Sequence, residues 1–380
     1  MPSAMTTSGG TANSTSPSQG QAQSPVAIKS FVRSSLEHRE SAGIDITRQI
    51  SSSDQDLGSF AIPAYGYLRS LLVYVTVTAG AGASTFSADA PWNFLKNIIV
   101  QEPNGATIAQ FNSGYDLYLA NKWGGYRGFN DPKAKPDYST NATGGLATFL
   151  LRIPLELRGR DALGSLPNQN AAAAFQLRMT LSSAATVYTS QPATTLPQVR
   201  VRVIAEEWDQ PAVSSDGAAN QTTPPAMNTT QYWSKQVYPV VAGQNTIRLT
   251  RVGNYIRGLN FIYRDGTGAR VTNASNNWPD PAVLYYDTRP IDNILSAVWR
   301  STMVERAGYS GTIEAVNGLD NGVYPYDFMH EFDGRLGNEL NDGWLPTLSS
   351  TRLEVQGSFG VAGTLEVLTN DVSVAGNVFL

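Results

Sequence analysis

Short segments in which apolar and polar residues alternate recur from Phe60 almost to the C-terminus, and this period of two constrains the fold more than any other feature. Leu71, Val73, Val75 and Val77 alternate with Leu72, Tyr74, Thr76 and Thr78, as in a strand with one dry face and one wetter face. The period returns at Leu177, Met179 and Leu181, and at Val199, Val201 and Val203 interleaved with Arg200 and Arg202. It returns again at Ile247 and Leu249, at Leu353 and Val355, and at Leu365 and Val367. Strands of this kind pack face to face in antiparallel sheets, so an all-β chain of sandwich type is expected. Beyond Phe60 helical spacing is rare, present at Ile291, Ile294, Leu295, Val298, Trp299 and Met303 and more briefly at 115–123. Helices therefore decorate a β architecture.

A chain of 380 residues exceeds the ~250 at which a single core stops growing, which points to two domains. Residues 1–25 are nearly all Ser, Thr, Gly, Ala, Gln and Pro and cannot bury enough apolar area to offset the entropy of ordering. Residues 1–54 read as a flexible N-terminal arm. Within it, Ile28, Phe31, Val32 and Leu36 are spaced for a short amphipathic helix near 26–39, whose stripe needs the protein's own body, a neighbouring copy or a membrane surface as partner. The aperiodic stretch 209–231, with Pro211, Pro224 and Pro225, reads as a linker between domains at 55–208 and 232–380.

These two domains carry a repeat. Tyr67-Leu68-Arg69-Ser70-Leu71-Leu72-Val73-Tyr74 reappears 188 positions later as Tyr255-Ile256-Arg257-Gly258-Leu259-Asn260-Phe261-Ile262. Late in each half, Gly164-Ser165-Leu166-Pro167 and Gly343-Trp344-Leu345-Pro346 each lead into an alternating strand. Proline ends the preceding element and sets the entry angle while leucine anchors the corner. A duplicated sandwich is expected.

Composition narrows the function. With charged residues at 15% and a net charge of −4, no basic block exists to hold phosphates, so sequence-specific nucleic-acid binding is not expected. The absence of cysteine excludes disulfides, thiolate metal sites and cysteine nucleophiles. Neither a basic-apolar leader nor an eighteen-residue apolar run is visible, so a soluble chain made in the cytoplasm is expected, and an exported outer-membrane barrel is set aside.

The segment 111–121 (FNSGYDLYLAN), the run 150–155 (LLRIPL), Gly164 to Pro167 with the strand 176–181, and Val201 to Trp208 together resemble the first jelly roll of tectivirus-type major capsid proteins. The second half is similar to the partner jelly roll more loosely, through Gly322-Val323-Tyr324 and the strands 352–356 and 364–368. The resemblance spans roughly residues 55–370. It implies two consecutive eight-stranded jelly rolls and a structural, non-enzymatic protein. It further implies homotrimers of pseudo-hexagonal outline that tile an icosahedral bacteriophage shell over an internal membrane. The implied partners are the chain itself, penton and minor capsid proteins, and the membrane through the N-terminal arm.

Two other readings stay open, a carbohydrate-binding or glycoside-cleaving sandwich and a phage tail or receptor-binding subunit. For the first, Trp92, Trp123, Trp233, Trp278, Trp299 and Trp344 are candidate sugar platforms, although such residues also fill cores. Glu206 and Glu207 are adjacent on a strand and point to opposite faces, and Glu305 and Glu314 flank a Gly-rich turn of unknown span. His330 near Asp327, Glu331 and Asp333 reads as a polar loop. Asp265-Gly266-Thr267-Gly268 reads as a hairpin turn, and Asn141 and Asn273 head glycosylation patterns that have no weight without export. No catalytic, cofactor or metal residue is assigned.

Overall fold

The computed structural model describes residues 28–126, 137–139, 145–212, 220–224, 229–272, 277–307, 320–329 and 343–373. Two sets of eight strands follow each other along the chain. The first is β1 (Glu37–Gln49), β2 (Gln55–Ala61), β3 (Tyr67–Thr78), β4 (Leu95–Gln101), β5 (Thr107–Ser113), β6 (Leu146–Pro154), β7 (Gln176–Leu181) and β8 (Gln198–Trp208). The second is β9 (Thr230–Val240), β10 (Gly243–Leu249), β11 (Tyr255–Asp265), β12 (Ala282–Tyr286), β13 (Arg289–Ile294), β14 (Val323–Asp327), β15 (Leu353–Phe359) and β16 (Gly363–Ser373).

In the first half the sheet orders are β1-β8-β3-β6 and β2-β7-β4-β5; in the second they are β9-β16-β11-β14 and β10-β15-β12-β13. Adding eight to each label converts one pattern into the other. Both are two interleaved Greek keys, the jelly-roll order. The alternation explains the packing: Val73, Val75 and Val77 pair with Val203, Val201 and Val199, and all six are at most 1% exposed. The second half repeats this arrangement with Leu365, Val367 and Phe261 buried.

The repeated motifs meet each other in space. Leu166 and Pro167 pair with Leu68 and Tyr67, and Leu345 and Pro346 pair with Ile256 and Tyr255 in the same antiparallel register. The matched arginines lie at matched irregularities, because the ladder skips Arg69 between Leu68 and Ser70, and skips Arg257 between Ile256 and Gly258. A bulge of this kind re-aims a side chain.

Among the described residues four α-helices accompany the strands, α1 (Phe31–Ser34), α2 (Gly114–Trp123), α3 (Ala184–Val187) and α4 (Ser296–Arg306), with a 3-10 turn at Trp92–Phe94. Here the chain departs from its sequence pattern. The helix expected near 26–39 is a single turn, and residues 37–49, expected in the arm, form β1 along β8. The physical reason is that Ile44 buries at the ladder position opposite Val203, which only an extended chain reaches. Of the supposed stripe, Phe31 is buried edge-on against Tyr67 and Trp208, while Ile28 and Leu36 are exposed. Ile291 and Ile294, expected on a helix, lie on β13, and α4 begins only at Ser296. β9 starts at Thr230, inside the stretch expected as linker. Residues 1–25 lie outside the described residues.

Candidate functional site

Among the described residues one strand contact joins the halves. β9 runs parallel to β5, with Trp233 opposite Ala109, so a sheet of the first half continues into a sheet of the second. Phe111 and Trp233 bring their rings to 5.8 Å across this contact. Helix α2 follows β5 and lies at the same seam. Ser113 caps it by accepting from the Tyr115 amide, and the Asp116 carboxylate accepts from the Ser113 amide at 3.0 Å. Gly114 is required at its start, because a Cβ there would stand 2.1 Å from the Trp92 carbonyl oxygen. Every residue of α2 except Lys122 is buried.

Charges of alternating sign cross the seam. Asp116 accepts from Lys235 Nζ at 3.0 Å, Lys235 meets Glu366 at 2.9 Å, and Glu366 meets Arg264 at 3.1 Å. Arg264 and Arg270 then both hold Asp89, each at 2.8 Å. Asp89 and Asp116 belong to the first half and the other four to the second. Burial pushes the Asp89 carboxyl up, but Arg264 and Arg270 more than offset it and hold the group below its usual value. Glu366 is likewise held down by Lys235 and Arg264 against burial. Burial would lower Lys235, yet Asp116 and Glu366 keep it above its usual value. Asp116 is the exception, its carboxyl pushed up by burial despite Lys235, and removing one partner of the chain would strand another.

A second network links the two bulged arginines. Arg69 donates to Glu156 Oε2 at 2.8 Å, meets Glu37 at 3.0 Å and lies 4.1 Å over the Trp208 ring. Glu156 Oε1 also accepts from Trp208 Nε1 at 2.6 Å and Ser165 Oγ at 2.9 Å. The Glu156 carbonyl accepts from Gln231 Nε2, and Gln231 Oε1 accepts from Tyr126 and Asn370, both of which bond Arg257. The halves are thus joined by hydrogen bonds as well as by apolar contact. An open polar pocket of about 240 Å³ adjoins this network, lined by Arg69, Arg152, Glu156 and Arg160 among others. Arg69 and Arg152 are already paired with Glu156 and Glu206.

The residues considered for chemistry are scattered. Glu206 bonds Ser70, Arg39 and Arg152 and is held below its usual value against burial, whereas Glu207 bonds Asn168 and is pushed up to about 7, chiefly by burial. Glu305 is exposed on α4, and Glu314 lies outside the described residues. Asp327 bonds Arg306 and the Met329 amide, while His330, Glu331 and Asp333 fall outside the described residues, as do Asn141 and Asn273. Asp265 is a turn residue, accepting from the amides of Thr267 and Ala269, with Gly268 at φ +85°. All seven tryptophans are buried, so none forms a sugar platform. Among the described residues no cluster of His, Asp or Glu could hold a metal ion.

The seam charges were not singled out by sequence. The available signal is weak: in a chain with few charges, Arg264 follows the buried Tyr263 and Glu366 stands between the buried Leu365 and Val367.

The sequence matches neither a protein-family model nor a curated protein. Solved structures, however, share its architecture along nearly its whole length. The STIV major capsid protein, from Sulfolobus Turreted Icosahedral Virus, superposes with a TM-score of 0.63 over 91% of this chain and 100% of its own, at 12% identity. Its fold is the double jelly roll of viral capsid proteins. The PBCV-1 capsid structure (TM-score 0.53, 11% identity, 89% of this chain and 93% of that one) shares this double jelly roll. So does the major capsid protein P2 of bacteriophage PM2 (TM-score 0.51, 11% identity, 90% and 99%). The double jelly roll expected from the repeat and the resemblance is therefore the fold observed.

Proposed function

We propose that this chain is the major structural subunit of an icosahedral virus shell. The observation that carries the reading is that two complete jelly rolls of one topology, locked by a buried ionic seam, match capsid subunits from end to end. Two similar domains in one chain let three copies present six near-equivalent sides, so that one product tiles a hexagonal lattice while the differences between halves preserve orientation. The work is assembly. Buried tryptophans remove the feature that favoured a sugar-binding sandwich.

On this reading the protein is made in the host cytoplasm and resides in the virion shell. Its partners are other copies of itself, penton and minor capsid proteins, and an internal membrane or neighbouring subunits met by the N-terminal arm. Size-exclusion chromatography with light scattering, followed by negative-stain imaging, tests the proposal. Particles of three times 40.9 kDa with a hexagonal outline are expected. A monomer at every concentration that binds glycans overturns it.

A further inference from the structure

Three of the seam residues stand in a reactive arrangement. Lys235 Nζ lies 3.0 Å from both carboxylate oxygens of Asp116 and 2.9 Å from Glu366 Oε2. Two equal contacts of 3.0 Å place the nitrogen no more than about 3.4 Å from the Asp116 carboxyl carbon, a near-attack separation. The site is dry, since the side chains of Asp116, Lys235 and Glu366 are 0%, 5% and 14% exposed. The fold fixes all three groups. The capping box of α2 holds the Asp116 carboxylate, and Lys235 projects from β9 on the same face as Val237, the ladder partner of Glu366 on β16.

The choice of cation bears on the chemistry as much as the distance does. The chain has 21 arginines and six lysines, and Arg264 and Arg270 serve the rest of the seam. Charge pairing alone would be met better by arginine, whose planar fork grips carboxylates bidentately. A guanidinium keeps its proton, whereas an ammonium can lose one and become a nucleophile. The cation held between Asp116 and Glu366 is the lysine.

We propose that Lys235 and Asp116 condense to an isopeptide bond that ties the two halves of the chain covalently. The two carboxylates hold Lys235 above its usual value, so the ion pair is the resting form. Transfer of one proton from Lys235 to Asp116 Oδ1 turns ammonium and carboxylate into amine and carboxylic acid. Burial favours this exchange because it removes two charges at once, and it has already pushed the Asp116 carboxyl up. The Nζ lone pair then attacks Asp116 Cγ and forms the C–N bond. The Ser113 amide, which donates to Asp116 Oδ2 at 3.0 Å, steadies the oxygen on which negative charge develops. Glu366 takes the surplus proton from the nitrogen and returns it to Oδ1, the C–O bond breaks, and Oδ1 leaves as water. One ammonium and one carboxylate become one amide and one water, with no change of oxidation state and no co-reactant. Holding the pair in place supplies the effective concentration that the step needs, and exclusion of solvent protects the amide from hydrolysis. The bond lies beside the contact of β5 with β9 and leaves Glu366 paired with Arg264. It is independent of the shell reading.

Mass spectrometry of the full-length protein, folded and then denatured, tests the proposal. The expected mass is one water lower than that of the sequence, and a tryptic digest is expected to contain a branched peptide joining Asp116 to Lys235. Lys235→Arg and Glu366→Gln are each expected to show the full mass of their sequences, and Asp116→Asn to lose ammonia in place of water. Circular dichroism checks the folding of each variant, and the branched peptide of the parent decides the case where a variant does not fold. A folded parent of full mass, or a loss of water that persists in Lys235→Arg, overturns the bond. A loss that persists in Glu366→Gln overturns the assignment of the proton carrier. None of these results touches the shell reading, which fails instead if the protein stays monomeric.

Discussion

Arg69 and Arg257 stand at the same bulge of the same strand in the two halves, yet they meet different surroundings. Arg69 neutralises two carboxylates, Glu37 and Glu156, and covers one face of Trp208. Arg257 is 1% exposed, donates to Tyr126 and Asn370, and its charge opposes the upward push of burial on the Asp327 carboxyl. A second matched pair behaves likewise. Glu207 and Asp371 occupy equivalent ladder positions, but Glu207 accepts from the Asn168 amide, whereas Asp371 accepts two bonds from the Arg251 guanidinium at 2.9 Å. Duplication preserved the backbone and the polar character of these positions, while each half re-assigned the partners. The difference follows from place, since one bulge lies beside the free edge β1 and the other beneath the seam.

The seam is the strongest point at which to break this comparison. Arg270→Met removes the contact to Asp89, two carbonyl bonds and the cation over the Tyr115 ring. A loss of about 4 kcal/mol is expected in chemical denaturation, because a buried carboxylate loses half its compensation. The bulges come next. Arg69→Met strands the buried Glu156 carboxylate and should cost about 3 kcal/mol, and Arg257→Met, which takes a buried cation from Tyr126, Asn370 and the field at Asp327, should cost a similar amount. A loss well under about 1 kcal/mol at either position would show that the arginine there compensates no buried partner.

Glu207 tests the next contrast through pH. Its folded-state value is raised from 4.5 to about 7, so the folded protein holds the proton more tightly than the unfolded chain. Its contribution is therefore favourable at low pH and is lost as pH climbs from about 4.5 to 7, with no further change above. Glu207→Gln should flatten that part of the stability profile and add on the order of 2 kcal/mol at pH 8. Asp371→Asn should do the reverse and destabilise at pH 8, because Arg251 loses its partner. Thermal denaturation across pH 4 to 9 reads both. The smallest effect lies at the helix starts. Ser113→Ala opens the capping box of α2 at a cost of about 1 kcal/mol, while Leu295→Ala, at the N-cap of α4 where no side chain caps, should leave the monomer's stability nearly unchanged.

Much of the architecture was legible because strands with one dry face write their period into the chain. The alternations at 71–77, 177–181 and 199–203 coincide with β3, β7 and β8, and their apolar members are buried. The repeats were legible for a related reason, since Tyr67 to Tyr74 and Gly164 to Pro167 are two sides of one pairing and had to be kept together. β1 was hidden: its exposed edge leaves only Ala42 and Ile44 buried, and a helical reading of Ile28 to Leu36 ran over its start. The seam charges were invisible because partners such as Asp89 and Arg270 lie 181 residues apart. The local pattern around each is that of any polar turn or strand end.

The sequence by itself determined the class of the fold, its division into two like halves and the burial of each strand's apolar face, because periodicity and repetition are local properties of the chain. Only the tertiary structure decided that the halves join through β5 and β9, which charges that contact buries, and which edges it leaves open. Those outcomes depend on where remote residues meet, and a burial cost is set by partners that no local pattern names.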